Sequence, residues 1–206
     1  MRAPAASDQP TRMSVDQWLE LPEDPRCELV EGEIVVSPSP TLDHQRAVGR
    51  LFRALDDHAR AHGGEAFVAP LGVRLSDDTA LEPDLLFVSS PDRYGPRIVE
   101  GPPDLVVEVS SPSTRRYDLI RKRRLYERFG VLEYWFVDLD AERLEVYAVG
   151  PDGRYDAPTL TGRGGSVASR AVPGLTVAVD AVLPADLGED GDHPMSVDLG
   201  DDGPPG

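Results

Sequence analysis

The sequence predicts an α/β or α+β domain in which helices flank one central mixed β-sheet. Two amphipathic helices interrupt a series of short apolar strands, which favours a mixed sheet. Too few helices separate the strands for a doubly wound fold. The 206-residue chain is long enough for one domain with a sizeable core, and its 40% hydrophobic and 28% charged residues are ordinary for a globular protein.

The first half of the predicted domain begins with a short helix. Ser14 and Gln17 have the spacing of a capping box, which predicts that this helix starts at Ser14 and ends by Leu21-Pro22. Residues 28–36 predict a hairpin that turns at Glu31-Gly32. The longest helix is expected at about 42–62, where apolar residues recur every three or four positions and Gly63-Gly64 follow.

The later elements are mostly strands. Strands are expected at 66–75, 84–88, 104–110, 133–137 and 143–149, with weak strands near 167 and at 175–179; a second helix is expected at about 114–129, before Gly130. Trp135 and Tyr147 lie on strands that could form a sheet edge, so a homodimer is a further expectation. The folded domain is predicted at 14–183, between a flexible tail (1–13) and an acidic disordered tail (184–206).

The composition indicates the cellular compartment and the kinds of binding partner to expect. The sequence has no run of about 18 apolar residues, so no membrane span is predicted. The first ten residues lack the apolar stretch of a signal peptide. One cysteine, Cys27, cannot form an internal disulfide, so we expect a cytoplasmic protein. The net charge is −16, but eight of the 37 acids follow residue 179, where there is no Lys or Arg. Residues 115–128 carry seven bases against two acids, a local patch for weak phosphate binding.

Two carboxylates in apolar strands form the first part of a candidate site. Side chains alternate along 104–110, so Asp104, Val106, Glu108 and Ser110 share one face. Glu108 therefore sits in the middle of an apolar strand, and Asp84 opens another. An ionised carboxylate in such a place is costly unless it is paired or binds a metal. Mg²⁺ prefers one or two carboxylates together with waters and substrate phosphate, so Asp84 and Glu108 are candidate metal ligands.

Lys122, the only lysine in the chain, is the third candidate. On a helical wheel it lies among apolar residues, whereas Arg121, Arg124 and Arg128 lie opposite. An inward ammonium could hold an attacking water or the scissile phosphate, and its protonation could tune the rate. An ion pair with Asp118, four residues earlier, explains the lysine equally well.

His44 is a weaker catalytic candidate. It occupies the first turn of the inward face of the long helix, from which it could act as a proton shuttle or phosphate contact. A histidine at the edge of the core explains the position equally well. Glu31 could supply another acid, although a turn explains it more simply. His58, His62 and His193 are expected to be exposed or in the tail.

Several of these segments together resemble the Uma-type restriction endonuclease family of the PD-(D/E)xK nuclease superfamily. The resemblance rests on Pro83-Asp84, on 103–113, on Lys122 and on 130–138, and it extends over about 14–179. It implies a restriction-endonuclease-like core with a divalent metal, Mg²⁺ or Mn²⁺, and with Asp84 and Glu108 as the motif acids. Ser110 replaces the usual motif lysine two residues after the glutamate, and Lys122 resembles a migrated substitute.

These observations give a leading function and two weaker ones. The leading hypothesis is a metal-dependent endonuclease that hydrolyses DNA, with Asp84, Glu108, Lys122 and His44 as its catalytic residues. The alternative is a catalytically inactive module of the same fold that binds nucleic acid or a protein partner, since function belongs to the site and not the fold. A glycosidase using the two acids is weaker, because aromatic residues make up only 6% of the chain. The acidic tail could also shield the basic helix until nucleic acid competes.

Overall fold

The computed structural model describes residues 12–110 and 117–184 and confirms a mixed α+β architecture. The helices are α1 (Val15–Trp18), α2 (Leu42–His62), α3 (Arg123–Phe129) and α4 (Val179–Val182). The strands are β1 (Cys27–Val30), β2 (Glu33–Val36), β3 (Glu65–Val68), β4 (Gly72–Ser76), β5 (Thr79–Leu81), β6 (Leu85–Val88), β7 (Ile98–Glu100), β8 (Leu105–Val109), β9 (Glu133–Asp138), β10 (Arg143–Ala148), β11 (Thr159–Gly162), β12 (Ser166–Ala168) and β13 (Thr176–Ala178). A 3₁₀ turn spans Pro91–Arg93, and a π-helical turn, Asp118–Lys122, leads directly into α3.

The predicted mixed sheet flanked by helices is confirmed, and a second main sheet, which was not predicted, accompanies it. A six-stranded sheet has the order β11-β10-β9-β8-β6-β3, and a five-stranded sheet has the order β2-β1-β5-β4-β7. Both sheets are mixed, because β8 pairs parallel to β9 and β4 parallel to β7 while their other pairs are antiparallel. A two-stranded sheet joins β12 and β13.

Helix α2 has the predicted bounds because its ends are marked in the sequence. The Thr41 hydroxyl accepts a hydrogen bond from the His44 amide at the start, and Gly63 has a φ of 92° at the end. The capping box of α1 is also confirmed, although this helix ends at Trp18, before the predicted Leu21-Pro22. The hairpin of β1 and β2 turns at Glu31 and Gly32, which both have positive φ.

The hydrophobic core lies on both faces of the six-stranded sheet. Leu105, Val107 and Val109 of β8 pack on the side of α2 and α4. Val106 packs on the other side, with Leu125 and Tyr126 of α3 and residues of the five-stranded sheet. The predicted alternation of β8 is therefore confirmed. Both faces are covered, so Glu108 lies on a strand with no exposed side.

Tertiary structure departs from the predicted strands at several points. The strand expected at 66–75 is divided into β3 and β4, with Ala69-Pro70 between them. Strands β5, β7 and β11 were not predicted. Trp135 and Tyr147 are buried on β9 and β10, which are inner strands, so the expected edge is wrong and the homodimer remains an untested prediction.

Some predicted segments lie outside the described residues. These are most of the N-terminal tail, the acidic tail with His193, and the first three residues of the helix expected at 114–129. Within 12–110 and 117–184, no helix has the length and apolar character needed to cross a lipid bilayer.

Candidate functional site

Glu108 is held at the centre of the site by two side chains from the helical segment that follows it. Its Oε1 accepts hydrogen bonds from Lys122 Nζ at 2.9 Å and from the Tyr126 hydroxyl at 2.7 Å. The residue is 2% exposed. A carboxylate so far from water depends on such charged and polar donors, because an unpaired buried charge is strongly disfavoured.

Lys122 faces inward, as the sequence predicts, and contacts more acids than expected. Its Nζ lies 2.9 Å from Glu28 Oε1, 2.9 Å from Glu108 Oε1 and 3.8 Å from Asp118 Oδ1. The ordinary helix ion pair with Asp118 therefore exists but is the longest of the three. The π-helical turn directs both Asp118 and Lys122 into the protein, whereas Arg121, Arg124 and Arg128 are exposed.

Two buried acids contact the same lysine. Within the described residues, the nearly fully buried Glu28 and Glu108 share the one Lys122 ammonium. Burial raises the pKa of Glu108 well above its usual range, and Asp118, Asp84 and Glu28 add to this while Lys122 opposes it. The site thus has electrostatic room for a further cation.

The surrounding acids favour the charged form of the Lys122 amine. Burial opposes its charge, but Glu108, Glu28 and Asp118 outweigh that effect and raise the pKa of Lys122 well above its ordinary value. This direction does not favour the expectation that the protonation state of Lys122 tunes the rate, which stays a prediction. Lys122 can donate hydrogen bonds and stabilise negative charge, but it cannot serve as a proton acceptor.

Asp84 lies next to Glu108 because β6 and β8 are paired neighbours. Its Oδ2 accepts hydrogen bonds from the Val109 amide at 2.8 Å and contacts His44 Nε2 at 3.0 Å. The start of α2 thus places His44 against the Asp84 carboxylate. The Val109 amide at the end of β8 holds the same carboxylate oxygen, Oδ2. His44 Nδ1 is buried and has no hydrogen-bond partner among the described residues.

These side chains line a cavity of about 460 Å³. Its floor contains the carboxylates of Glu28, Asp84 and Glu108 beside Lys122, and Tyr117 lies in its wall. Burial raises the pKa of the Tyr117 phenol, whose hydroxyl lacks a hydrogen-bond partner among the described residues. Farther out, Arg26 contacts Glu82 Oε2 at 3.1 Å, and burial raises the pKa of Glu82.

The donor set fits a hard divalent ion that shares its coordination with solvent and substrate. Residues 12–110 and 117–184 contain no group of three or more His, Cys, Asp or Glu side chains that could hold an ion by themselves. Mg²⁺ does not need such a cage, because it usually takes one or two carboxylates, several waters and a substrate phosphate. Asp84 and Glu108, two carboxylates that line one cavity, meet that requirement.

The structure thus brings the four predicted residues, Asp84, Glu108, Lys122 and His44, to one cavity. Sequence reasoning missed Glu28, Tyr117 and Tyr126. Glu28 alternates with apolar residues in a hairpin strand, which is the ordinary pattern of a half-exposed strand. The two tyrosines were hidden because aromatic residues on an inward helix face usually belong to the core.

The other candidate residues do not line the cavity. Glu31 occupies the hairpin turn and pairs with Arg128 at 2.8 Å, outside the cavity. His58 is buried at 9% exposure, so its predicted exposure is wrong; it stacks on His62 and contacts Phe87 edge-on. Arg123 lies over the Tyr147 ring, which leaves Arg121, Arg124 and Arg128 as the exposed bases of the described part of the patch.

Comparisons with known proteins identify the family of this chain and similar folds. A family model described as "Uma2: Putative restriction endonuclease" matches residues 15–180. Five chains of solved structures match the fold. One is the crystal structure of "a putative nuclease belonging to DUF820" from Anabaena variabilis, with a TM-score of 0.68, 19% identity, and coverage of 82% of this chain and 97% of that chain. No curated protein matches the sequence.

Proposed function

This chain belongs to the Uma2 family, described as "Putative restriction endonuclease", and we propose that it is a divalent-metal-dependent endonuclease that hydrolyses phosphodiester bonds in DNA. The observation that carries the proposal is the convergence of Glu108, Lys122 and Asp84 on one cavity. A nuclease of this kind needs oxygen ligands for an ion and a cation for the phosphate. All of these groups line the same cavity here.

Asp84 and Glu108 would hold the ion, Mg²⁺ or Mn²⁺. When bound, the ion would polarise the phosphodiester, lower the pKa of an attacking water and neutralise charge on the leaving oxygen. The protein prepares the two acids by hydrogen bonds from the Val109 amide and the Tyr126 hydroxyl. Such fixed donors orient metal ligands before the ion arrives.

Lys122 would stabilise the negative charge that grows on the phosphate or orient the attacking water. Its raised pKa supports this role, because it keeps the ammonium charged throughout the neutral range. Glu28 and Glu108 hold Nζ from two different strands, which restricts where the ammonium can point. A fixed cation contributes more to catalysis than a mobile one, because no reorganisation is needed during the reaction.

His44 would orient Asp84 and move a proton. Because its Nε2 contacts Asp84, the Nδ1 atom is the ring nitrogen left to accept a proton in the neutral form. General acid–base catalysis by a positioned histidine typically contributes a rate factor of about 10²–10⁴.

The proposal is tested with purified protein, supercoiled plasmid DNA and Mg²⁺ or Mn²⁺. We expect nicked or linear DNA with the wild-type protein and none with Asp84→Ala or Glu108→Ala. Glu33→Ala, an exposed change on β2 purified in the same way, should keep wild-type activity and so exclude a contaminating nuclease. Equal cleavage by wild type, Asp84→Ala and Glu108→Ala, or cleavage by none of the proteins, would contradict the proposal.

A further inference from the structure

The mouth of the cavity is apolar although its floor is charged. Val36 on β2 is 58% exposed and Val68 on β3 is 42% exposed, and both line the cavity. We call the aliphatic side chains along this mouth the apolar rim: Val35, Val36, Val68 and Ala69. Single exposed valines are common, but here two of them, from different sheets, line the same cavity as the acids.

Tyr117 adds an aromatic ring to the same cavity. It is the one aromatic residue among the described residues of the cavity wall. Its hydroxyl is buried without a hydrogen-bond partner among those residues, and the guanidinium of Arg121 lies 5.9 Å from its ring centre. A planar ring beside a cation is the combination on which unpaired bases stack in single-strand binding proteins.

The charges around the cavity do not suit a continuous duplex. Five carboxylates line it within the described part of the chain: Glu28, Glu82, Asp84, Glu108 and Asp118. The arginine and lysine side chains that line it there are Arg26, which contacts Glu82, and Lys122, which contacts Glu28 and Glu108. Duplex DNA carries one negative charge per about 1.7 Å, and neither of these two bases is without an acidic partner and so ready to bind its phosphates.

We propose that the cavity takes one unpaired nucleotide of a DNA strand, with its base against the apolar rim and Tyr117. This inference rests on the proposed function and specifies its substrate class. The faces of bases in a duplex are covered by their stacked neighbours, so an apolar wall beside the acids is useful only for a base that has left the stack. A cavity of about 460 Å³ also lies within the size range of pockets for single small molecules.

Binding and hydrolysis are measured with one oligonucleotide sequence as a single strand and as a perfect duplex. Binding is followed by fluorescence anisotropy with Ca²⁺ in place of Mg²⁺, and hydrolysis with Mg²⁺. We expect the single strand to bind at least about tenfold more tightly than the duplex, which is the size of one base-stacking contact. Under Mg²⁺ the single strand should also be cut faster.

Variants of the apolar rim and of Tyr117 test whether the preference for single-stranded DNA arises in this cavity. Tyr117→Leu and the double variant Val36→Ser/Val68→Ser should each weaken single-strand binding about tenfold and leave duplex binding unchanged. Leu160→Ser is the matched control, because Leu160 is 54% exposed on β11, at the opposite edge of the six-stranded sheet from β3. It should change neither affinity.

The outcomes separate this inference from the proposed function. Duplex binding as tight as single-strand binding, or rim variants that leave the single-strand affinity unchanged or weaken both DNA forms equally, would overturn the unpaired-nucleotide inference. Hydrolysis of the duplex at the same rate as the single strand would also overturn it, while the nuclease proposal would stand. Single-strand binding that depends on the rim, without hydrolysis of either form, would support the subsite and contradict the nuclease proposal.

Discussion

The Lys122 ammonium lies 2.9 Å from Glu28 Oε1, the same distance that separates it from Glu108 Oε1. Strand β1 of the five-stranded sheet and strand β8 of the six-stranded sheet are therefore joined through one buried cation. The Glu28 Oε1 atom also accepts a hydrogen bond from the Glu82 amide at 2.8 Å, so Glu28 is itself fixed. This arrangement makes Glu28 a positioning residue for Lys122.

Replacing Glu28 with Gln should lower the rate of DNA hydrolysis by roughly 10–100-fold, the usual effect of losing a group that supports a metal site. The amide oxygen of Gln can still accept the hydrogen bond from Glu82, so the fold should persist. Steady-state rates and circular dichroism check both points. Glu33→Gln, on the neighbouring strand β2, is the control and should behave like wild type. An unchanged rate in Glu28→Gln would show that Glu28 does not position Lys122 for catalysis.

Replacing Lys122 with Met should destabilise the protein by about 3–5 kcal/mol, because buried carboxylates lose their partner. Urea unfolding measures the change in the free energy of unfolding. The double variant Lys122→Met/Glu108→Gln should be more stable than Lys122→Met alone, because one of the unpaired charges is removed with its partner. Two independent, additive losses of stability would show that the amine and Glu108 do not interact.

Two variants of His44 separate orientation from proton transfer. His44→Ala should lose both metal affinity and rate, because Asp84 loses its contact. His44→Gln keeps a hydrogen-bond donor for Asp84 but cannot accept a proton, so metal affinity should remain while the rate falls on the order of 100-fold. Rates as a function of pH, with metal titrations, provide the measurement. A wild-type rate in His44→Gln would limit His44 to orienting Asp84.

His58 should make stability depend on pH. Burial lowers the pKa of His58 below its ordinary value, and His62 adds to this. The unfolded chain therefore takes up a proton at His58 at a pH where the folded chain does not. The contribution of neutral His58 to the stability is therefore fully present above its pKa in the unfolded chain, about 6.5. It is lost as the pH falls toward the lower pKa of His58 in the folded chain.

The His58 effect is measured by thermal unfolding of wild type and His58→Phe between neutral and mildly acidic pH. The Tm of wild type should fall more than that of His58→Phe as the pH decreases, because the variant lacks the titrating group. His62→Gln should retain most of the wild-type pH dependence, since burial is the larger cause. Parallel Tm curves for wild type and His58→Phe would show that His58 contributes nothing.

Local signals in the sequence are sufficient for much of this fold. The bounds of α2 follow from its apolar period and from Gly63-Gly64, and the hairpin follows from Glu31-Gly32. The inward position of Lys122 also follows from the apolar residues around it on the helix. These features depend on residues close together in the chain, where spacing determines which side chains share a face.

The missed features depend on contacts between distant segments. Glu28 meets Lys122 across 94 positions of the chain, and nothing in its own strand distinguishes it from an ordinary polar residue. The second sheet arises from short strands such as β5 and β7, whose pairing is decided by packing. His58 is polar in sequence, but it is buried between α2 and the sheet beside Phe87. The π-helical turn likewise has no marker in the residues that form it.

The most direct test of the account is a calorimetric titration of Mg²⁺ and Mn²⁺ into the wild-type protein and into Asp84→Asn and Glu108→Gln. The account predicts saturable binding to wild type, loss of that binding in both variants, and unchanged binding in Asp57→Asn, an exposed change on α2. Absence of binding to wild type, or equal binding to all four proteins, would contradict a metal site at Asp84 and Glu108 and would favour a catalytically inactive module of the same fold.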